Sequence, residues 1–235
     1  MSERPGSARP VALVTGATGG IGRAVVDDLA ADHEVLAVGR NAEAIADLDA
    51  LPGVRAVPLD LTDDAALIAF AETLDRLDVL VHAAAVATQF SVADADAGEW
   101  RRQYDVNVVA PALLTRLTLP LLRASSGRVI FINSGAGTRA VPGSVVYSAT
   151  KFALRAVADS LRAEEADAGV RVSTVAPGPT DTEMARSLGS ASGRPYEPSR
   201  LIRPASVAAA VRLVVDAGDD TQITEVAVRP RRELS

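Results

Sequence analysis

Short apolar runs bounded by turn residues recur along this chain, and stretches with apolar residues at helical spacing lie between them. The runs cover residues 10–15, 34–38, 54–59, 78–85, 128–133, 170–175 and 223–228. Helical periodicity is present over 21–31, in the stretch carrying Leu67, Phe70 and Leu74, over 99–122, over 147–168 and over 205–215. Thr62 is placed to cap the helix of Leu67, and Gly169 to close the helix that precedes the sixth strand. Strands alternating with helices predict an α/β chain, a doubly wound sheet of about seven parallel strands with helices on both faces. Residues 1–9 and 231–235 read as tails around a single domain at 10–230. Within that domain 182–204, punctuated by Gly189, Gly193, Pro195, Pro198 and Pro204, reads as a loop-rich flap.

Composition narrows the function classes. A length of 235 residues with 48% apolar content suits one large domain with a full core. A net charge of −6 and a pI near 5.0 argue against a nucleic-acid or membrane-surface partner. The absence of cysteine removes disulfides and thiolate chemistry. No apolar run in this reading approaches membrane-spanning length, and the opening decapeptide lacks the apolar centre of a signal peptide, so a cytoplasmic protein is expected. With only His33 and His82 no metal site is expected, and His82, inside an apolar run, reads as a hydrogen-bonded core residue.

Candidate chemistry gathers after the strands. Gly16, Gly19, Gly20 and Gly22 fall between a strand and a helix, with Thr18 and Ile21 among them. Such a turn lets backbone amides approach a pyrophosphate over the positive end of a helix. The second strand ends at Gly39-Arg40 with no acid beside it, and an arginine there suits a 2′-phosphate, hence NADP rather than NAD. Asp60-Leu61 follows the third strand, where Asp60 either accepts from an adenine amino group or closes the turn. Ala83, Ala84 and Ala85 end the fourth run, small enough to let a cofactor or a neighbouring helix come close. Asn107 is a polar residue in the middle of a long helix, with no cap to make.

The densest stretch is 134–151. It holds Ser134, Tyr147 and Lys151, and Lys151 is the sole lysine among 24 basic residues. On a helix the i,i+4 spacing puts phenol and ammonium on one face. A cation there favours phenolate and lowers the phenol's pKa, so that Tyr147 can exchange a proton with a substrate oxygen that Ser134 also binds.

Together these motifs resemble the short-chain dehydrogenase/reductase family over nearly the whole chain. The resemblance rests on the Thr-Gly-x-x-x-Gly-x-Gly turn at 15–22, Asp60, Asn107, Ser134, Tyr147, Lys151, and Pro177-Gly178 with Thr182. It implies a Rossmann-like fold, with Tyr147 as general acid/base and Ser134 as binder of the substrate oxygen. Lys151 is implied to lower the Tyr147 pKa and hold the nicotinamide ribose, and Asn107 to anchor a water linking Lys151 to solvent. Pro177, Gly178, Thr180 and Thr182 are implied to contact the nicotinamide side of the cofactor. Where the family places Asn-Asn-Ala-Gly, this chain has His82-Ala83-Ala84-Ala85, so an asparagine tie is missing. The family also pairs its helices across two-fold axes, which implies a homodimer or homotetramer, as do apolar residues such as Leu114, Leu117, Phe152 and Leu161 on the two long helices.

The expected activity is NADP-dependent hydride transfer between nicotinamide and a carbonyl or secondary alcohol. The competing reading is a non-catalytic NADP-binding sensor or scaffold on the same fold. The set Asn107, Ser134, Tyr147 and Lys151 discriminates, since a sensor has no use for all four. Expected pocket walls (Ala85, Val86, Gly135, Ala136, Val141, Pro179 and Met184) are small or apolar and favour a neutral substrate, with Arg139 the nearest cation by sequence.

Overall fold

The computed structural model describes residues 9–191 and 196–231. Nearly all of the N-terminal tail, Gly193 and Pro195 of the flap, and the last four residues lie outside the described residues.

Seven strands form one parallel sheet: β1 (Val11–Thr15), β2 (Glu34–Gly39), β3 (Val54–Pro58), β4 (Val79–His82), β5 (Arg128–Ile132), β6 (Arg171–Pro177) and β7 (Glu225–Val228). Their spatial order is β3-β2-β1-β4-β5-β6-β7, with every pairing parallel. The chain winds outward from β1 in one direction and then, from β4, in the other, so a crevice opens between the C-terminal ends of β1 and β4. The strands are apolar on both sides because both faces are covered. On one face α1 (Gly20–Leu29), α2 (Ala42–Asp49) and α8 (Pro204–Val215) bury Val26, Leu29, Leu48, Val207 and Val211 against Ala12, Val14 and Ile130. On the other, α3 (Asp64–Ala71), α5 (Ala110–Ser125) and α6 (Val145–Glu164) bury Leu67, Leu114, Leu122, Leu154 and Leu161 against Leu13, Leu80 and Phe131.

Several sequence expectations change. The fourth strand stops at His82, leaving Ala83–Ala85 as loop. Asp63, not Thr62, caps α3 by accepting from the Ala66 amide at 3.0 Å, because Thr62 is spent on Asp60. The helix of α6 ends at Glu164, and Gly169, at φ +75°, closes the turn beyond it. Leu114 and Leu161 are core residues rather than spare surface, whereas Phe152 is 44% exposed. The flap holds a helix, α7 (Glu183–Ala191), and a short 3-10 turn at Pro198–Arg200.

The long helix expected at 99–122 is three pieces: α4 (Ala97–Tyr104), a π-helical turn at Asp105–Val109, and α5. In that turn the Ala110 amide bonds the Asp105 carbonyl, five residues back. End to end, Ala97–Ser125 is 29 residues with a mean hydropathy of 1.3 in its most apolar window. By length and composition it could cross a membrane, contrary to the expectation that no stretch approaches that length. Here Leu114 and Leu122 are buried in the core instead.

His82 is a core histidine, as its run suggests. It is 3% exposed, stacks on Phe131 and meets Thr115 Oγ1 through Nε2 at 2.9 Å. Burial pushes its pKa down to about 3. A histidine depressed in the folded state keeps its stability above the unfolded pKa of ~6.5 and loses it as pH falls, since only the unfolded chain takes the proton. Between those limits the loss approaches about 1.4 kcal/mol per pH unit, or about 2 kcal/mol by pH 5. Melting curves from pH 7 to 5 are expected to show a steeper fall for the wild type than for His82→Gln. Equal slopes would assign the acid sensitivity elsewhere.

Candidate active site

The glycine turn follows β1 and faces the loop after β4. Gly16 has φ +65°, and a Cβ there would lie 2.6 Å from the Ala84 backbone. At Gly22 a Cβ would collide with the Gly16 carbonyl oxygen, so both glycines let the turn fold tightly onto the start of α1. The alanines after β4 therefore serve close backbone packing. Gly19, the N-cap of α1, brings no side chain to it, so the first-turn amides of Gly20, Ile21 and Gly22 face outward uncapped. That is the donor set a pyrophosphate needs, and the residues present fit a dinucleotide. Thr18 packs against Gly39 at the end of β2.

Beyond β2, Arg40 is exposed, and no hydrogen bond or ion pair holds it among the described residues. Asp60 Oδ1 accepts from the Thr62 amide at 3.0 Å and its hydroxyl at 2.8 Å. These bonds, helped by the charge of Arg40, hold the Asp60 carboxyl below its ordinary range. Of the two roles open to Asp60, closing the turn is the one seen. Leu61 beside it is half-buried.

Ser134 leaves the end of β5, and its Oγ accepts from the Ala136 amide at 3.1 Å. Tyr147 and Lys151 lie one turn apart near the start of α6, with Nζ 5.7 Å from the phenol ring centroid. Lys151 is 1% exposed, and its ammonium donates to the Ile132 carbonyl at 2.9 Å. Burial lowers the Lys151 pKa to about 8. The expected lowering of the Tyr147 pKa does not occur in the protein by itself. Burial raises it, opposed by a hydrogen bond to Ser134. A phenol held neutral beside a hydroxyl is equipped to donate a proton to an oxygen placed between them.

Asn107 sits in the π-helical turn, 1% exposed. Its Oδ1 accepts from the Val86 amide at 2.8 Å, and its Nδ2 donates to the Val86 carbonyl at 2.9 Å and to Thr150 Oγ1 at 3.1 Å. It is a brace joining the loop after β4 to α6 beside Lys151, the satisfied amide that the residue pattern alone allowed. Asn133 is a positioning residue whose role the sequence reading missed. Its Oδ1 accepts from the Ser134 amide at 2.9 Å, and its Nδ2 donates to the Lys151 carbonyl at 3.2 Å. An amide side chain immediately before a strand-end serine was the available signal. Glu99 accepts from Arg102 and Gln103 and from the Thr88 hydroxyl, tying the loop after β4 to α4.

Pro177 ends β6, and the Gly178 amide bonds the Val228 carbonyl at 2.8 Å. Thr180 is buried, its hydroxyl donating to the Gly178 carbonyl at 3.0 Å. Thr182 caps α7 by accepting from the Ala185 amide at 3.2 Å, and its methyl group rests against Gly20. The flap thus starts directly over the glycine turn. Val141 and Arg139 are exposed, while Ala85, Val86 and Met184 are half-buried.

Glycine turn, strand-end serine and Tyr-x-x-x-Lys helix share one edge of one sheet, and the family model for short chain dehydrogenases matches residues 10–193. The chain belongs to the short-chain dehydrogenase/reductase family. Glycine betaine reductase ATRR of Emericella nidulans is 34% identical over 238 residues, covering 95% of this chain but only 19% of that longer protein. An uncharacterized oxidoreductase of Staphylococcus aureus is 31% identical over 234 residues, covering 94% of this chain and 96% of that one. Among solved structures, a protein of Corynebacterium glutamicum described as of the short-chain dehydrogenase/reductase type shares 41% identity. Its TM-score is 0.72, over 94% of this chain and 100% of that one. A metagenomic short-chain oxidoreductase in complex with NADP shares 31% at TM-score 0.81, over 96% and 99%. A serine dehydrogenase complexed with NADP+ shares 26% at TM-score 0.85, over 93% and 94%. As a member of this family the chain is a nicotinamide-dependent dehydrogenase/reductase acting on CH–OH or C=O groups.

If Asn107 is a brace, Asn107→Ala leaves the Val86 amide and carbonyl unpaired, at a cost of about 1–3 kcal/mol. Urea unfolding is expected to show a lower midpoint with an unchanged slope. A midpoint equal to that of the wild type would remove the brace assignment.

Proposed function

We propose that this enzyme uses NADP(H) to interconvert neutral, largely apolar carbonyls and secondary alcohols. The observation that carries the reading is the convergence of Ser134, Tyr147 and the buried Lys151 at the sheet edge reached by the glycine turn. The nicotinamide, when bound, exchanges a hydride with the substrate carbon. Tyr147 gives its phenolic proton to the carbonyl oxygen during reduction and takes it back during oxidation. Ser134 orients that oxygen by a hydrogen bond. Lys151, charged below about pH 8, holds the cofactor ribose and compensates negative charge developing on the phenol. Gly16, Thr18, Gly19, Gly20, Ile21 and Gly22 cradle the pyrophosphate, Asp60, Leu61 and Ala83–Ala85 line the adenosine side, and Pro177, Gly178, Thr180 and Thr182 line the nicotinamide side.

The preference for NADP rests on Arg40, an exposed guanidinium at the end of β2 that no hydrogen bond or ion pair holds among the described residues. Two of the similar structures are NADP complexes, which accords with it. Neutral substrates fit the small or apolar Ala85, Val86 and Met184 and the exposure of Arg139. Exposed Val109 and Phe152, on the long helices, suit a symmetric homo-oligomer contact.

Tyr147→Phe is expected to reduce turnover by roughly 10²–10⁴-fold while leaving the NADPH dissociation constant nearly unchanged. Stopped-flow turnover within a few-fold of the wild type would sink the proton-transfer role. Arg40→Asp is expected to abolish a preference for NADPH over NADH of about one to two decades, the worth of a charge-assisted contact of ~1.5–3 kcal/mol. Fluorescence titration giving equal affinities in the wild type would return Arg40 to the ordinary surface.

A further inference from the structure

The first two turns of α6 are held in different ways. The second is fixed from β5, by Lys151 Nζ on the Ile132 carbonyl at 2.9 Å and by Asn133 on the Lys151 carbonyl at 3.2 Å. The first, which carries Tyr147, is held by loops, apart from the phenol's own bond to Ser134. Ser148 Oγ accepts from the Val141 amide at 3.1 Å. Ser144, the N-cap, makes no capping bond with its side chain, and the Val145 amide is taken by the Phe90 carbonyl at 3.3 Å. Phe90 and Ser144 also form an isolated parallel bridge. On the other side of Tyr147, the Thr150 hydroxyl donates to the Tyr147 carbonyl at 2.8 Å and accepts from Asn107, whose amide grips Val86. The segment 86–90 therefore meets α6 on both sides of Tyr147, at Val145 directly and at Thr150 through Asn107.

The midpoint of that segment is pinned in turn. The Thr88 hydroxyl donates to Glu99 Oε1 and accepts from Gln103 Nε2 at 2.9 Å. Glu99 also accepts from Gln103 Nε2 at 2.6 Å and from Arg102 Nε and Nη2 at 3.0 and 2.8 Å. The Arg102 guanidinium, with the Thr88 hydroxyl and the Gln103 amide, holds the Glu99 pKa down to about 2, so the acceptor stays ionised near neutral pH. Hydrogen bonds to a charged acceptor are the strong ones. The Glu99 side chain is only 13% exposed and Gln103 is wholly buried, which shelters the tie from competing water. Gln103 Oε1 is buried with no hydrogen-bond partner among the described residues. An apolar side chain would avoid that cost, so the two bonds donated by Nε2 are what the amide contributes. We propose that Thr88 is a positioning residue for Tyr147, acting through segment 86–90 on the first turn of α6. Its role in the reaction rests on Tyr147 as the proton donor. Without the hydroxyl the midpoint loses its charged anchor, the Phe90 carbonyl is freed from the Val145 amide, and water gains access to the phenol.

The chain has three tyrosines, Tyr104, Tyr147 and Tyr196, so isotope labelling at tyrosine Cζ gives three signals, with that of Tyr147 assigned by its loss in Tyr147→Phe. Thr88→Val keeps the shape of the side chain and removes the hydroxyl. It is expected to speed hydrogen exchange of the Val145 amide about tenfold or more, the effect of losing one charge-assisted bond. The Tyr147 phenol is expected to titrate at lower pH than in the wild type, because burial is what raises it. The Tyr196 signal, on the flap, is expected to stay in place, and Thr88→Ser to restore both readouts. Glu99→Gln keeps an acceptor oxygen without its charge. It is expected to move both readouts the same way by less, and it decides the matter if Thr88→Val fails to fold. An unmoved Tyr147 titration in both variants, no rescue by Thr88→Ser, or an equal displacement of Tyr196 would each overturn the proposal. Both readouts are taken without substrate. An unmoved phenol therefore refutes the positioning role alone, whereas unimpaired turnover in Tyr147→Phe refutes the proton-transfer reading.

Discussion

An ammonium removed from water must be bonded, and Lys151 is almost wholly buried. The Ile132 carbonyl at the end of β5 meets that need at 2.9 Å. The contact sets how far α6 slides along the sheet and so where Tyr147 stands relative to Ser134. Asn133 reinforces the same junction by gripping the Lys151 carbonyl with one end of its amide and the Ser134 amide with the other. Ser134, Tyr147 and Lys151 are thus registered by a strand end and a helix, the most rigid parts available, rather than by the loop between them.

A parallel sheet brings the C-terminal ends of all its strands to one edge, and this chain puts most of its chemistry there. The turn after β1, the alanines after β4, Ser134 after β5 and the threonines after β6 are neighbours only because β1, β4, β5 and β6 are adjacent in the sheet. The packing at that edge is close. The Gly16 turn touches the Ala84 backbone, and the Thr182 methyl group meets Gly20. A residue with a larger side chain at either contact would displace the glycine turn from its neighbours.

The π-helical turn at Asp105–Val109 settles a conflict within one long helix. α4 holds the loop after β4 through Glu99 and Gln103, while α5 runs along the core face of the sheet. One widened turn between them rotates Asn107 inward, where it reaches both Val86 and Thr150. Widened turns of this sort recur at functional sites because an extra residue per turn re-aims side chains without breaking the helix.

Much of this was legible in the chain. Apolar runs and their spacing determined seven strands, their parallel arrangement and most helices, because burial on both faces demands near-continuous apolar strands. Glycine spacing, the lone lysine four residues after Tyr147 and the serine at a strand end determined the family and marked the candidate site, because that chemistry tolerates few substitutes. Tertiary structure alone decided what those groups do in the resting protein. A phenol's pKa depends on desolvation and on its hydrogen-bond partners, and neither is encoded in i,i+4 spacing. The same holds for Asn107, Asp60 and Thr62, whose hydrogen-bond capacity is local but whose partners are chosen by the fold. The flap helix at Glu183–Ala191 was obscured by the glycines and prolines around it, which mark turns but do not exclude a helix among them. The tie between Thr88 and Glu99 had no sequence signal, since it exists only where the loop after β4 folds back along α4.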